Sequence, residues 1–186
     1  MGRELSKENA ERIFAEYSHF VYRVVLFLIK SPELADDITQ ETFIQIFRKY
    51  HLFDPAKPIK PWIYKIALNT TRNMLRKQPW MKFVAEMPEA RASERGLEPV
   101  EEAVLKSEAD QELWRAIMSL RLKNREVIIL HFYSGLKLHE VSDALGIPVG
   151  TCKSRLNAAL NALRKRLPKL ESDLFQGGEL YESSWQ

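Results

Sequence analysis

Residues 135–165 read GLKLHEVSDALGIPVGTCKSRLNAALNALRK. Leu138, Val141 and Leu145 recur at helical spacing, with polar residues between them. Gly146 follows directly and suits the left-handed turn at which helices often stop. Pro148 suits the start of a second helix, where a missing N–H costs nothing. Along that second helix Cys152, Leu156, Ala159, Leu160, Leu163 and Leu167 form an apolar stripe. Its other face opens with Thr151, Lys153, Ser154 and Asn157, all able to hydrogen-bond to bases or phosphates. Two amphipathic helices, a tight turn with glycine and a polar opening to the second helix predict a helix-turn-helix DNA reader. Spacing alone also fits a helical hairpin in any bundle. Charge separates the two readings. From 137 to 170 there are seven Lys or Arg (137, 153, 155, 164, 165, 166, 169) against two acids, Glu140 and Asp143. Such a balance suits a phosphate backbone.

Working outward, 186 residues allow one or two small domains, and 45% hydrophobic content is enough for packed cores. The net charge of +3 excludes a polycation that coats nucleic acid indiscriminately. A single cysteine, Cys152, excludes an internal disulfide and points to a reducing compartment. Its place on the apolar stripe predicts a buried thiol. The N-terminus lacks a signal-peptide layout. The most apolar run, residues 20–29, is interrupted by Tyr22 and Arg23 and is too short for a bilayer. A soluble, cytoplasmic protein without membrane insertion is the expectation.

Upstream, Ser6 can cap a helix to about Ile29 whose buried face is Ile13, Phe14, Tyr17, Val21, Val24, Val25 and Leu28. Ser31-Pro32 restarts the chain as N-cap and first helical residue. The next helix, to about Tyr50, carries Leu34, Ile38, Phe43 and Phe47 inward and the acidic group Asp36, Asp37, Gln40 and Glu41 outward. A loop with prolines 55, 58 and 61 follows, stiff enough to form a pocket. A third helix runs from Trp62 to about Lys77, with Ile63, Ile66, Ala67 and Met74 inward and Lys65, Asn69, Arg72, Asn73 and Arg76 outward. Between residues 55 and 85 there are seven bases and no acid. Cations interleaved with Trp62, Tyr64, Trp80 and Phe83 suit single-stranded nucleic acid, where rings stack on bases. Core packing of Trp62 or Tyr64 is the competing reading.

The charge then reverses: residues 86–112 hold nine acids and three bases. With Pro88, Gly96 and Pro99, this predicts an extended acidic linker that turns helical near Val100. Leu113, Ile117 and Leu120 share the face of a further helix. Asn124 can cap another, through Val127, Ile128, Leu130 and Phe132 to Gly135. The tail after Pro168 has no clear period. His19, His51, His131 and His139 lack metal-ligand spacing, and no Gly-rich phosphate loop or nucleophile motif occurs. No enzyme, metal or cofactor is expected.

Residues 36–43, DDITQETF, followed by residues 62–69, WIYKIALN, resemble the second conserved region of bacterial RNA polymerase sigma factors of the extracytoplasmic-function (ECF, sigma-70 family) group. Residues 146–155, GIPVGTCKSR, resemble the fourth region. The resemblance implies an all-α fold of two helical domains joined by an acidic linker. The expected divisions are region 2 at 1–78, the linker at 79–107, region 4 at 108–170 and a tail at 171–186. It implies a subunit that binds core RNA polymerase and directs initiation by recognising −10 and −35 promoter elements. Asp36, Asp37, Gln40 and Glu41 would meet the polymerase beta-prime clamp. Lys60, Trp62, Lys65, Asn69, Arg72, Asn73 and Arg76 would meet single-stranded −10 DNA, with a flipped base in a pocket of the proline-rich loop. Thr151, Lys153, Ser154, Arg155 and Asn157 would read the −35 duplex. The linker would thread toward the polymerase active-site channel. Restraint by an anti-sigma factor is a further implication. Asn157-Ala158 departs from the aromatic or His, then Arg, that many members carry, so the −35 sequence does not carry over. The alternative is a stand-alone helix-turn-helix regulator. A third possibility is a helical adaptor or anti-factor.

Overall fold

The computed structural model describes residues 5–77 and 108–167, and the expected acidic linker and C-terminal tail lie outside them. The described residues are all-α, with two helical units. In the first, α1 (Lys7–Ile29), α2 (Pro32–Lys49) and α3 (Ile59–Lys77) pack around Val24, Val25, Ile38, Ile46, Ile63 and Leu68. In the second, α4 (Glu108–Met118), α5 (Leu122–Ile128), α6 (Leu138–Leu145) and α7 (Val149–Arg166) surround Val127, Leu130, Val141, Cys152 and Leu163.

Local chemistry sets the helix ends. Ser6 caps α1, its Oγ accepting from the Asn9 N–H at 3.2 Å. Ser31 caps α2, accepting from the Leu34 N–H at 3.4 Å while donating to Glu33 at 2.9 Å, with Pro32 in the first turn. Backbone donation and the Ser31 hydroxyl hold the Glu33 carboxyl below its ordinary pKa. Gly146 ends α6 at φ 66°. A Cβ there would meet no atom within 4 Å, so strain in the left-handed region, not space, is what selects glycine. The Glu140 carboxylate accepts from the Lys137 N–H at 2.8 Å and fixes the start of α6. Cys152 is fully buried as expected, and burial pushes its thiol pKa up against the pull of Arg155.

Several expectations need correction. Phe14 is 49% exposed, its ring lying edge-on to Phe43 at 4.9 Å rather than in the core. Helix α3 begins at Ile59, three residues before Trp62, taking Pro61 into its first turn where no N–H is needed. Asn124 caps nothing. Helix α5 starts at Leu122, and the chain leaves it through a π-turn at Ile129–Tyr133. Tyr64 is a core residue, fully buried, whereas Trp62 is half-buried.

The C-terminal part of α1 departs furthest from amphipathic patterning. Residues 24–29 are buried all round. A helix hydrophobic on every side is enclosed on every side. Here α2 and α3 cover one side. The second unit covers the other, with the Phe27 ring 4.5 Å from Trp114 and 4.9 Å from Tyr133, both edge-on. Arg125, fully buried, crosses between the units and donates to Met118 O and Leu28 O, each at 2.7 Å. The two units thus share one continuous core in this arrangement. Among the described residues no helix is long and apolar enough to cross a membrane.

Candidate nucleic-acid interface

Three surfaces carry the candidate residues. On α2, Asp36, Asp37 and Gln40 are exposed, and Glu41 is half-buried, accepting from Gln45 Nε2 at 2.8 Å. Their neighbour one turn on, Ile44, is 43% exposed. This apolar side chain lies open beside the acids, a neighbour that acidic clustering alone does not single out. Its signal was the i+3/i+4 spacing from Gln40 and Glu41.

On α3, Trp62, Lys65, Asn69, Asn73 and Arg76 fall along one side, and Lys60 is half-buried at its start. The aromatic rings of Phe53 and Trp62 lie 5.2 Å apart and those of Tyr50 and Trp62 6.4 Å apart, which pins the proline-rich loop to the helix. A cleft of about 430 Å³ opens there between Phe53, Pro58, Trp62 and Lys65. Phe53 and Lys57 also line this cleft, and residue pattern alone does not single them out. An aromatic residue inside a stiff loop preceding Trp62 was the available signal. Polar side chains of α6 form the facing wall: His139, Glu140 and Asp143.

Arg72 does not face outward with its neighbours. It donates to the Glu126 carboxylate from Nε at 3.2 Å and from a terminal nitrogen at 3.1 Å, and to Leu145 O at 3.2 Å. Glu126 is itself buried. Burial pushes its carboxyl pKa up, with Arg72 the main opposing influence and Arg155 and Arg125 adding to it. Geometry shows an ion pair, yet desolvation outweighs it, as is common for buried pairs. A carboxyl held above its unfolded pKa adds stability at acidic pH, and that contribution is lost as pH rises through the raised value. Glutamine stays neutral throughout. The melting temperature of Glu126→Gln minus that of the native chain is therefore expected to increase between about pH 4 and pH 7. A difference that falls over that range, read from thermal melts, would mean that the pairing outweighs the burial.

On α7, Lys153, Ser154 and Asn157 are exposed and Thr151 is half-buried. The Ser154 hydroxyl donates to Thr151 O at 3.0 Å. Arg155 lies apart from this group. It is half-buried and lines a second cleft, of about 1080 Å³, with Arg72, Arg76, Arg121 and Lys123. Residues 153 and 155 are two apart, so a helix turns them to different sides. Ala158 lines the same cleft, which puts the Asn157-Ala158 departure across two faces.

The Sigma-70 region 2 family model matches residues 13–81, and the Sigma-70 region 4 model matches residues 110–163. The ECF RNA polymerase sigma factor SigW of Bacillus subtilis is 32% identical over 179 residues, covering 88% of this chain and 94% of that protein. The ECF sigma factor RpoE of Cereibacter sphaeroides is 32% identical over 173 residues, covering 89% and 92%. The chain belongs to the ECF group of RNA polymerase sigma factors. As a sigma factor it binds core RNA polymerase and directs promoter-specific initiation through −10 and −35 elements. The stand-alone regulator reading is thereby set aside. Among solved structures, the sigma factor RpoE of Bartonella quintana, in complex with the anti-sigma factor NepR, matches with a TM-score of 0.68 at 23% identity, covering 85% of this chain and 96% of that one. CnrH in complex with the cytosolic domain of CnrY matches with a TM-score of 0.62 at 20% identity, covering 90% and 91%. These two likenesses concern the fold.

Proposed function

We propose a division of labour among the sigma factor's surfaces. Residues 1–78 act as region 2, 79–107 as the acidic linker, 108–170 as region 4 and 171–186 as a tail. Asp36, Asp37, Gln40 and Glu41, with Ile44, engage the beta-prime clamp of core polymerase. Lys60, Trp62, Lys65, Asn69, Asn73 and Arg76, with Arg72 once released from Glu126, follow the −10 single strand. The cleft beside Phe53 and Trp62 takes an unstacked base, for which ring stacking is worth about 1–3 kcal/mol. Thr151, Lys153, Ser154 and Asn157 read the −35 duplex, and Arg155 reaches phosphate from the side. The chain carries no catalytic step of its own, and the chemistry of transcription stays with the polymerase. Restraint by an anti-sigma factor belongs to the same reading.

The observation that supports this assignment best is the separation of the acidic, aromatic-basic and polar-basic groups onto three helices, each with an exposed face. Each face suits a different chemistry: a basic protein surface, an unpaired strand and a duplex groove. Lys153→Ala is expected to weaken −35 duplex binding by the holoenzyme by about 1–3 kcal/mol, as for a lost base contact. Competition binding with −35 variants checks this. Unchanged affinity and unchanged base preference would remove Lys153 from the reading face.

A further inference from the structure

The cleft of about 1080 Å³ gathers cations from three parts of the chain. Arg72 and Arg76 come from α3, Arg121 and Lys123 from the entry to α5, and Arg155 from α7. One acid stands in the same lining, Glu126, which is buried and already accepts from Arg72. That carboxylate and Leu145 O fix the Arg72 guanidinium, whose side chain is still 36% exposed. Arg155 is half-buried. Among the described residues, the Arg121 and Lys123 side chains have no hydrogen-bond or ion-pair partner. A concave surface lined by one sign of charge focuses its field and concentrates counter-ions. Guanidinium groups recognise phosphate through paired N–H donors. Promoter DNA does not suit this grouping. The −10 and −35 elements lie more than two duplex turns apart, each turn about 34 Å, whereas Arg76 of α3 and Arg155 of α7 line a single cleft. A compact anion with several negative charges meets all three walls at once.

We propose that this cleft binds a small oligophosphate anion, the class that includes nucleoside triphosphates and pyrophosphate. Arg121, Lys123 and Arg155 hold the phosphate oxygens, and Arg76 closes the side toward α3. The site goes beyond the promoter reading, which gives no part to Arg121 or Lys123. RNA synthesis consumes nucleoside triphosphates and releases pyrophosphate, so anions of this class are present wherever the chain works. The consequence for initiation rests on the promoter reading. An anion that bridges α3 and α7 favours the arrangement in which they are close, and a holoenzyme spanning both elements needs them apart. Bound oligophosphate therefore opposes the capture of the free chain by core polymerase.

The test titrates the free, full chain with inorganic tripolyphosphate by calorimetry, in magnesium-free buffer at fixed ionic strength. Saturable binding of one anion per chain is expected. Arg121→Ala with Lys123→Ala should weaken it by about tenfold or more. Both side chains are exposed, so the fold should survive, and a thermal melt of the unliganded variant checks this. Arg48→Ala with Lys49→Ala, the same charge change at exposed positions on α2, should cost less than about twofold. Equal losses in the two double variants, or no saturable binding by the native chain, would overturn the site. Pyrophosphate and adenosine triphosphate serve as further probes. Affinity for adenosine triphosphate equal to that for tripolyphosphate assigns recognition to the phosphate chain, and a higher affinity adds the nucleoside; both support the site. In titrations with core polymerase, tripolyphosphate should weaken binding of the native chain but not of Arg121→Ala with Lys123→Ala. Failure of the promoter reading looks different: the calorimetric binding and its loss would remain, while tripolyphosphate left polymerase binding by the native chain unchanged.

Discussion

Arg125→Ala is expected to destabilise the free chain by about 3–5 kcal/mol, the range for removing one member of a buried charged contact. Its side chain is fully buried and makes 2.7 Å bonds to two carbonyls. Both carbonyls belong to helix C-termini. Leu28 lies in the last turn of α1, and Met118 closes α4. Terminal carbonyls have no partner within their own helix, and a cation there also meets the negative end of the helix dipole. Alanine would leave two acceptors buried and unmet, and a void besides. Arg125→Met restores much of the volume without the donors and should recover only part of the loss. Urea denaturation gives the number, and a loss under about 1 kcal/mol would mean that the bridge contributes little.

The second large effect lies on α2. Reversing Asp37 and Glu41 together to Lys is expected to weaken core polymerase binding by about 3–5 kcal/mol, more than a hundredfold in affinity. Removing a charge leaves its partner unpaired, and reversing it adds repulsion. Because Asp37 is exposed and Glu41 only half-buried, stability should change by no more than about 0.5 kcal/mol. Titration of labelled chain with core polymerase measures the first quantity and thermal melts the second. Native affinity in the double variant would take α2 out of the polymerase contact.

Both effects show what the sequence makes legible. The helix-turn-helix was readable because its determinants are local: apolar residues one turn apart and a glycine at a left-handed stop. The caps at Ser6 and Ser31 were readable for the same reason. The acids of α2 stood out because they cluster within two turns. Arg125 gave no such signal, since an arginine between Asn124 and Glu126 looks like any solvated residue. Its partner Leu28 is 97 positions away. Periodicity places Arg72 outward, but Glu126 and Leu145 O of the second unit hold its guanidinium. Phe14 erred the other way: it has helical core spacing, but the neighbouring helices leave its ring half uncovered. Asn124 has the right side chain for a cap, yet α5 had already begun two residues earlier. For Arg125 and Arg72 a contact between elements overrode a rule that holds within one.

This sigma factor chooses where a polymerase begins. Run-off transcription with purified bacterial core polymerase, on a library of promoter fragments with mapped 5′ ends, tests it most directly. Transcripts that start at defined positions only when the chain is added, downstream of shared −35 and −10 sequences, are the predicted result. Start sites identical with and without the chain would contradict it.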